Sequence, residues 1–543
     1  MSFLDTDLPP APRDDLPPAA VLALLAGVLL LWGFTVTAGH TWGGDFSQYI
    51  MHARNLVEGR AYTDTGYIHT AFAFVGPVAY PPVFPAWLAP VYALYGLDWV
   101  ALKMVGVASF VLALLCLFLI VRGRIGRWHQ LVLFAVLACN PFVWTLKDKI
   151  VSDLPFVFLF LLTLWFLKQR YVRQQDGYHD RAQGRWHMAL WLGVLLYLVY
   201  GTREIGLVFV PAIIVFELYH FRRLSLISLL AMAVFAALAW WQSGFTRAPL
   251  DAAMQQNLAA LAAAQGMQGM AASHIDLIHF NVFDILKQAV RYVSSLQDFW
   301  PDSETPWVSL ASLLAFALTM LFAILGYLRA VLRDFGIMEI VLAGYLLVLF
   351  LFGGFQGLRY LIPVMPLILY YAFRTHYTML FGPLRRVMLI LGLTFAGSTA
   401  LVYAASPVYS QTPEQGITSP EAKALLQFVK QSTPQDARFV FNKPRVLSLL
   451  TGRAASAWPA RGDDDFLLAY MRAIDAGYLV LSDINWQGAA LPLGERRTPS
   501  GPFELIFSNA MFRVYKLRQA AGNEANLYYS PDWDTARSSK RQA

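Results

Sequence analysis

The chain is poor in charged residues. Only 14% of its 543 residues are Asp, Glu, Lys or Arg, whereas 57% are hydrophobic. Soluble domains carry roughly 25% charged residues, so this composition excludes an ordinary soluble enzyme and indicates a polytopic membrane protein. Cysteine is also scarce, since Cys116 and Cys139 are the only two and both fall in apolar stretches. A disulfide framework and a cysteine-based metal site are therefore excluded.

Several enzyme signatures are missing too. The sequence has no Gly-x-Ser-x-Gly nucleophile motif, no P-loop and no dinucleotide-binding fingerprint, which argues against a soluble nucleotide-sugar or ATP-dependent enzyme. The histidines lack the spacing of zinc ligands, and Asp463-Asp464-Asp465 is interpreted as the start of a solvated helix. No cofactor is predicted with certainty, and the sequence leaves a divalent cation open.

The basic residues lie in alternate short loops. A net charge of +7 would suit a nucleic-acid partner, but this alternation is typical of the cytoplasmic face of a membrane protein. We therefore predict a lipid bilayer as the environment and no nucleic-acid partner. The basic loops are Arg122–Arg127, Lys168–Arg185, Arg222–Arg223, Arg329–Arg333 and Arg374–Arg386.

The apolar stretches predict an all-α membrane domain of about eleven spans with a cytoplasmic N-terminus. The first span follows a proline-rich, acidic arm, so it is interpreted as a retained helix and not as a cleaved signal peptide. The predicted spans are 19–39, 97–121, 130–144, 155–167, 189–200, 206–218, 224–241, 307–328, 337–352, 361–373 and 387–405. The predicted domains are a flexible arm (1–18), the transmembrane domain (19–405), a periplasmic α/β domain (406–519) and a disordered tail (520–543).

The region after residue 406 has the composition of a soluble domain and alternates helical with strand patterns. The predicted helices there are Pro420–Lys430, Pro444–Leu450 and Phe466–Ala476. The predicted strands are Arg438–Phe441, Tyr478–Ser482 and a hairpin of Phe503–Phe507 with Phe512–Leu517.

The first outer loop, Trp42 to Trp87, is too polar to cross a bilayer and too apolar for a plain solvated loop. It predicts two juxtamembrane helices, of which the first ends at Gly59 and the second covers Val83 to Tyr95. Asp45 opens the first helix and Gln48 follows three residues later, which predicts a capping box. An acid beside a membrane also suggests function. Capping and catalysis both remain open for Asp45.

The outward ends of the predicted spans collect charges of both signs, which indicates an active site at the outer membrane boundary. These residues are Asp45, Glu58, Asp64, Lys147, Asp148, Lys149, Asp153, Arg203, Glu204 and Arg359. The alternative is local pairing, of Arg203 with Glu204 and of Lys149 with Asp153. Asp153 could also cap the helix that follows it, because Pro155 stands in the first turn.

Glycosyl transfer from a lipid phosphate suits such a set of residues. The phosphate leaves without protonation, so one carboxylate can act as general base on the acceptor hydroxyl, with inversion at the sugar carbon. Arginines stabilise the developing phosphate charge. Aromatic residues of the first loop, including Tyr49 and Tyr80, could stack on sugar rings or belong to the interfacial aromatic belt.

Six short motifs carry a resemblance to the polytopic glycosyltransferases of the GT-C superfamily, in particular to the dolichyl-phosphate-mannose–protein mannosyltransferases and the lipid A aminoarabinose transferases. They occur in order between Asp45 and Pro366. The motifs read GGD with a following Tyr, ARNLVEG, YPPVFP, SDLPF, GTREIGL and LRYLIPVMP.

The resemblance implies a polyprenyl-phosphate sugar donor, an outward active site and inversion. It implies Asp45 as the catalytic acid residue and a second functional acid at Asp153, with Arg203 and Arg359 near the donor phosphate. The first loop has no lysine, and Phe46 follows Asp45 where the protein mannosyltransferases have a glutamate. These departures weaken an assignment to either group.

We therefore predict an inner-membrane glycosyltransferase that moves a sugar from a polyprenyl-phosphate donor to a periplasmic lipid, glycan or protein. Asp45 and Asp153 are the predicted catalytic residues. The predicted substrate-binding residues are Arg203, Arg359, Lys147, Lys149, Glu204, Tyr80 and Tyr49. A transporter or lipid-linked sugar flippase is the main alternative, although it predicts charges near the bilayer midplane. A membrane-anchored binding protein would leave the many spans unexplained.

Overall fold

The structure is a computed structural model. It describes residues 14–70, 72, 75–175, 186–247, 252–264, 306–333, 335–351, 357–379, 382–405, 415–459, 464–484, 490–493, 499 and 501–518. The predicted tail and most of the predicted N-terminal arm lie outside these residues. The chain divides into two compact units. Unit 1 comprises Met1–Thr65, Pro77–Ala248 and Gln268–Thr418, and unit 2 comprises Gly66–Gly76, Pro249–Met267 and Ser419–Ala543.

Unit 1 is helical in its described residues, and helices occupy the positions of the predicted spans. The first part contains α1 (Pro18–Phe34), α2 (Asp45–Glu58), α3 (Val83–Tyr95), α4 (Trp99–Val121), α5 (Arg127–Ala138), α6 (Pro141–Leu146), α7 (Asp153–Gln175) and α8 (Trp186–Tyr200). After a 3-10 helix (Glu204–Val208) follow α9 (Phe209–Phe221) and α10 (Leu226–Phe245). The last part contains α12 (Pro306–Arg333), α13 (Ile337–Leu351), a 3-10 helix (Gly357–Tyr360), α14 (Met365–Met379) and α15 (Gly382–Ala405).

Within the described ranges, four helices are long and apolar enough to cross a membrane. They are Trp99–Val121, Glu204–Phe221, Leu226–Phe245 and Phe316–Arg333. Shorter apolar helices include α1, α8 and α13. The count of about eleven spans stays a prediction.

One predicted span is wrong as a continuous helix. Residues 130–144 divide into α5 and α6, because the Asn140 side chain caps α6 by accepting from the amides of Phe142 and Val143. Pro141 has no N–H to continue α5, and it is well suited to the first turn of a new helix. The break leads the chain into Lys147–Ser152, which joins α6 to α7.

The core of unit 1 surrounds Trp32, which is fully buried. Its ring stacks on Phe110 with centroids 4.3 Å apart and meets the edge of Trp144 at 5.9 Å. Its Nε1–H donates to the carbonyl of Ala138 at 3.0 Å. One aromatic residue thereby fixes α1 against α4 and the α5–α6 corner, and this sets where the first outer loop begins. The described end of the N-terminal arm is also held, since the Asp15 carboxylate accepts from the Gly123 amide at 2.9 Å and from the Gln130 side chain at 2.6 Å.

Unit 2 is a mixed sheet with helices. Its helices are α11 (Ala252–Ala264), α16 (Pro420–Ser432), α17 (Pro444–Thr451) and α18 (Asp464–Ala473). Its strands are β1 (Tyr67–Ile68), β2 (Arg438–Val440), β3 (Ala454–Ser456), β4 (Tyr478–Ile484), β5 (Ala490–Leu491), β6 (Phe503–Ser508) and β7 (Phe512–Leu517). The order is β1-β3-β2-β4-β7-β6, parallel from β1 to β4 and antiparallel from β4 to β6, with β5 beside β4.

The strands and helices predicted after residue 406 are confirmed within a few residues at each end, including the hairpin of β6 with β7. The predicted domain begins at residue 406, whereas the last segment of unit 2 begins at Ser419. Unit 2 also includes two segments from earlier in the chain. One of them supplies edge strand β1 from the first outer loop, paired in parallel with β3. Buried Arg445 holds this segment, with its guanidinium 4.8 Å from the centre of the Tyr67 ring and donating to the Val75 carbonyl.

Candidate active site

Helix α2 presents Asp45 in its first turn. Its N-cap position is Gly44, and no side chain caps the helix there. The predicted capping box is therefore wrong: the Gln48 side chain donates to the carbonyls of Pro77 (3.2 Å) and Val78 and does not reach back to the helix start. The acid still benefits from the positive end of the helix dipole. The predicted end of the helix is confirmed, because Gly59 adopts a left-handed conformation with φ of 67°.

Both carboxylate oxygens of Asp45 accept hydrogen bonds from neighbouring side chains. The Tyr80 hydroxyl donates to Oδ1 at 2.8 Å, and Arg359 Nη1 donates to Oδ2 at 2.9 Å. The Asp45 side chain remains 28% exposed. A carboxylate that is held in place and still reaches solvent can accept a proton from an incoming molecule.

Arg359 connects Asp45 to the second predicted acid, Asp153. Its Nη2 donates to Asp153 Oδ2 at 2.8 Å, and its Nε lies 3.3 Å from both oxygens of that carboxylate. The opposite side of Asp153 accepts from Arg203 Nη1 at 2.6 Å. Burial alone would lower the pKa of Arg359, but Asp153 and Asp45 together hold it well above its ordinary value. Both arginines are therefore permanent cations.

Asp153 is buried to 1% exposure at the start of α7. Its carboxylate contacts two guanidinium groups, whereas the predicted local alternatives paired Arg203 with Glu204 and Lys149 with Asp153. Arg203 also lies over the Tyr360 ring, 4.9 Å from its centre. A buried carboxylate with two bidentate-capable partners is suited to orienting those arginines. We call Asp45, Arg359, Asp153 and Arg203 the Asp45 cluster.

Lys149 adds a cation beside this cluster. Its side chain is exposed, and none of the ion pairs between described residues within 4 Å involves it. The surrounding protein nevertheless desolvates the ammonium, and this effect, together with the charge of Arg359, lowers the pKa of Lys149. Asp153, Asp45 and Asp148 act in the opposite direction. The cluster's own charges cancel, so Lys149 leaves the site with a net positive charge near its exposed edge.

Lys147 has different surroundings, although it is only two residues away. It is fully buried, and its ammonium donates to the Thr35 carbonyl at 2.6 Å and to Asp148 Oδ2 at 2.5 Å. Asp148 in turn accepts from the Thr37 amide at 2.8 Å. These contacts hold the segment between α1 and α2. The substrate role predicted for Lys147 stays a prediction, and its described contacts are with the protein.

Lys103, in α4, holds the same segment from another side. Its ammonium donates to the carbonyls of Thr37 (2.8 Å) and Gly39 (2.5 Å). His40 follows, with its ring stacked on Phe46 at 3.8 Å and its Nε2 accepting from the Ile150 amide at 3.3 Å. Burial, with a smaller effect of Lys103, lowers the pKa of His40 to about 3, so it stays neutral. These contacts fix the start of α2 and thereby Asp45.

The remaining predicted residues differ in their relation to the cluster. Tyr80 contacts Asp45 directly, and its ring stacks on Tyr49 with centroids 4.4 Å apart. The Tyr49 hydroxyl bonds to Ser152 Oγ at 2.9 Å, immediately before Asp153. Burial, and then Asp45, raise the pKa of Tyr49, so it stays a neutral hydrogen-bonding group. Glu204 begins the 3-10 helix after Arg203 and is exposed.

Sequence reasoning missed the contacts of Ser152, Tyr360 and Lys103. Ser152 and Tyr360 each adjoin a predicted site residue, so their positions in the motifs SDLPF and LRYLIP were a usable signal. Lys103 stands alone in an apolar span, and an intramembrane lysine is a functional or structural candidate by default.

A metal site is not indicated by the described residues, among which no group of three His, Cys, Asp or Glu side chains is placed to hold an ion. Asp45 and Asp153 are both paired with guanidinium groups. A divalent cation at these acids would have to displace arginine, so the cation left open by the sequence has no ready position there.

No family model and no curated protein sequence matches the chain. Solved structures do match it. The oligosaccharyltransferase AglB from Archaeoglobus fulgidus, in complex with an inhibitory peptide and a dolichol-phosphate, aligns with 85% of this chain and 69% of its own, at 12% identity and a TM-score of 0.51. ArnT from Cupriavidus metallidurans bound to undecaprenyl phosphate aligns with 92% of this chain and 98% of its own, at 12% identity and a TM-score of 0.51.

A variant of the arabinofuranosyltransferase AftD from Mycobacteria aligns with 93% of this chain at 12% identity and a TM-score of 0.53, and the match spans 42% of AftD. The structural relatives are GT-C glycosyltransferases. The chain therefore has the GT-C fold, as its motifs suggested. At this level of identity the similarity establishes the fold, and the activity must be argued from the site.

Proposed function

We propose that the protein is a membrane glycosyltransferase that uses a polyprenyl-phosphate-linked sugar and transfers the sugar with inversion. The observation that carries this proposal is the Asp45 cluster, in which the partly exposed Asp45 carboxylate pairs with Arg359 and buried Asp153 joins Arg359 to Arg203, with the cation Lys149 nearby. The GT-C fold supports it, and so do the bound lipid phosphates of AglB and ArnT. The acceptor is a periplasmic lipid, glycan or protein, and the membrane is the inner membrane.

In this mechanism Asp45 is the general base. Its carboxylate takes the proton from the acceptor hydroxyl as that oxygen attacks the anomeric carbon. The bond between the anomeric carbon and the phosphate oxygen breaks on the opposite face, and its electron pair stays on the phosphate. One carboxylate is sufficient because the phosphate leaves without protonation.

The cations of the site match the change in phosphate charge. The donor is a phosphodiester with one negative charge, and the departing polyprenyl phosphate carries two. Lys149 balances the first of these charges. The second develops as the bond to the sugar breaks, and Arg359 balances it once the donor phosphate has drawn this arginine away from Asp45. Asp153 stays buried between Arg203 and Arg359 and orients both.

Donor binding also has to free Asp45 before it can act. In the structure Arg359 Nη1 and the Tyr80 hydroxyl each bond to an oxygen of Asp45, so both oxygens already accept hydrogen bonds before an acceptor arrives. A phosphate competes with Asp45 for Arg359. We propose that this exchange makes Asp45 a competent base only when the donor is bound, which limits loss of the donor to water.

The test is donor consumption by purified protein, given a panel of polyprenyl-phosphate sugars and membrane extract as the source of acceptor. Wild type and Asp45→Asn are compared, since Asn can still accept the Tyr80 hydrogen bond. The proposal expects wild type to consume one donor, and Asp45→Asn to bind it but to turn over slower by roughly a hundred- to ten-thousandfold.

Equal turnover by the two proteins would contradict the role of Asp45 even if the activity is present. If neither protein consumes any donor while wild type moves a lipid-linked sugar across proteoliposomes, the flippase alternative is correct. Nuclear magnetic resonance of the purified product reads the anomeric configuration, and retention would contradict a single-displacement mechanism.

A further inference from the structure

Helix α2 carries a polar stripe that does not face solvent. Gln48, His52 and Asn55 are spaced four and three residues apart, so they share one face of the helix, and all three are fully buried. Gln48 and Asn55 donate to carbonyls of the chain that follows the helix: Pro77 and Val78 for Gln48, and Ala61, Tyr62 and Asp64 for Asn55. The stripe organises the parts of the first loop that belong to unit 1.

His52 occupies the centre of this stripe and contacts both parts of that chain. Its Nδ1 lies 2.8 Å from the Tyr62 carbonyl, and its Nε2 lies 3.2 Å from the Tyr80 amide. A carbonyl only accepts and an amide only donates, so Nδ1 carries the proton and Nε2 is the acceptor. The imidazole also stacks on the Tyr62 ring, with centroids 4.1 Å apart and planes 8° from parallel. Its contacts fix one neutral tautomer.

Contacts of its backbone, its ring and its hydroxyl hold Tyr80 in position. Its N–H donates to His52, and its carbonyl accepts from the Tyr62 hydroxyl at 2.8 Å. Its ring stacks on Tyr49 at 4.4 Å, and its hydroxyl donates to Asp45 Oδ1 at 2.8 Å. Tyr62 is itself stacked on His52, so the histidine adjoins both backbone contacts of Tyr80, and the bond from the Tyr80 amide to Nε2 is its direct one.

We infer that His52 is a positioning residue for the reaction at Asp45, acting through the backbone of Tyr80. This inference rests on the proposed function. His52 sets where the Tyr80 hydroxyl lies, and the hydroxyl occupies one oxygen of Asp45 and so directs the other toward Arg359 and the incoming acceptor. The imidazole does not touch the reacting groups and takes no proton in the reaction.

Two substitutions separate the two contacts of the ring. The oxygen of Gln reaches about as far as Nε2, so His52→Gln keeps an acceptor for the Tyr80 amide and loses the bond to Tyr62. The amide of Asn reaches about as far as Nδ1, so His52→Asn keeps the bond to Tyr62 and loses the one to Tyr80. The two variants are matched in polarity and in loss of the aromatic stack, so a purely structural role would affect them alike.

The experiment measures kcat and donor KM for both variants, together with hydrogen–deuterium exchange of the peptide that contains the Tyr80 amide. For His52→Asn we expect kcat to fall on the order of ten- to a hundredfold, because a small misplacement near the reacting groups has effects of that size. Donor KM should change little, and the Tyr80 amide should exchange faster. For His52→Gln we expect a kcat close to wild type and a protected amide.

Tyr80→Phe removes only the hydroxyl and serves as a coupling control. If His52 acts through Tyr80, the double variant with His52→Asn is no slower than the slower of the single variants. Equal kcat losses in the Asn and Gln variants, an unchanged Tyr80 amide in His52→Asn, or additive losses in the double variant would each overturn the inference. If wild type transfers no sugar, the proposed function fails, and the exchange experiment still decides whether His52 holds Tyr80.

Discussion

Two ionic clusters in unit 1 differ in how completely they are enclosed. The Asp45 cluster has side chains that reach solvent, with Asp45 28% and Arg359 23% exposed. The second cluster pairs Arg170 with Glu217 across α7 and α9, and these side chains are 3% and 0% exposed. We call Arg170, Glu217, Ser225 and Ser228 the Arg170 cluster.

The two charges of the Arg170 cluster pair with each other inside the protein. Arg170 Nη1 donates to Ser228 Oγ at 3.0 Å, and Nη2 donates to Ser225 Oγ at 2.7 Å. Nη2 also donates to Glu217 Oε1 at 3.1 Å. Glu217 further accepts from the Ser225 amide and from Ser228 Oγ. Ser225 caps α10 at the same point. The charges balance within the protein, so the cluster joins helices.

The difference shows why ion pairs alone do not identify a site. Structural ion-pair networks bring opposite charges together just as active sites do. The Asp45 cluster differs in having an exposed carboxylate, one arginine shared between two acids and an additional cation, Lys149, at its edge. An anionic substrate can balance the positive charge that Lys149 adds beside the Asp45 cluster. In the Arg170 cluster the charges of Arg170 and Glu217 already balance each other.

The largest effect is expected from Glu217→Ala, which leaves Arg170 buried without its counter-ion. Unfolding of the purified protein, followed by tryptophan fluorescence during titration with sodium dodecyl sulfate, should show a loss of about 3–5 kcal/mol in the free energy of unfolding. Turnover per folded molecule should stay near wild type. A Glu217→Ala protein that stays stable but loses turnover would show that the Arg170 cluster serves the reaction and not the stability of the fold.

The next effect concerns the shared arginine. Arg359→Lys keeps the charge, but an ammonium cannot bridge Asp45 and Asp153 as the planar guanidinium does. We expect turnover to fall by about a hundred- to a thousandfold, which is the range found when an electrostatic donor of this kind is removed. The measurement is the steady-state rate of transfer with the donor identified from the panel.

Arg170→Lys is the matched control for that substitution. It makes the same chemical change in the enclosed cluster, so it should lower stability and leave turnover per folded molecule unchanged. Similar losses of turnover in both variants would show that global stability, and not the bridge from Arg359, controls the rate.

The smallest predicted effect is a pH dependence from Lys149. Its pKa lies below the ordinary lysine value, and only the protonated ammonium attracts the donor phosphate. Donor KM should therefore be lowest below that pKa and should rise by about tenfold as pH increases through it, equivalent to losing one charge-assisted contact. Lys149→Arg stays charged and should show a flat KM over the same range. A rise of KM in both proteins would assign the titration to another group.

The sequence alone could place Asp45, Asp153, Arg203 and Arg359 at one end of the membrane domain, since alternating basic loops orient the spans. It could not show that Arg359 bridges acids that lie 314 and 206 residues away in the chain. Such a bridge depends on helix packing, which local patterns do not contain.

Lys147 and Lys149 show a second limit. They lie two residues apart, and sequence reasoning treated them as equivalent. Residues 147–152 form no helix or strand, so no periodicity relates the directions of their side chains. The structure buries Lys147 against Thr35 and leaves Lys149 beside the Asp45 cluster.

The capping box at Asp45 failed because Gln48 has other acceptors, the carbonyls of Pro77 and Val78, which lie about thirty residues further along the chain. Strand β1 was missed because a two-residue strand carries no alternation to detect. The longer elements of unit 2 after residue 406 have clear periodicity, and they were predicted within a few residues.

The most direct test of the account is a cryo-electron microscopy structure of the wild-type protein with a polyprenyl phosphate, the product carrier. We expect the phosphate beside Lys149 and Arg359, with Arg359 still bound to Asp153 and its bond to Asp45 broken. A phosphate bound elsewhere, with Arg359 still joining Asp45 and Asp153, would contradict the exchange that frees Asp45 and would remove the basis for its role as the base.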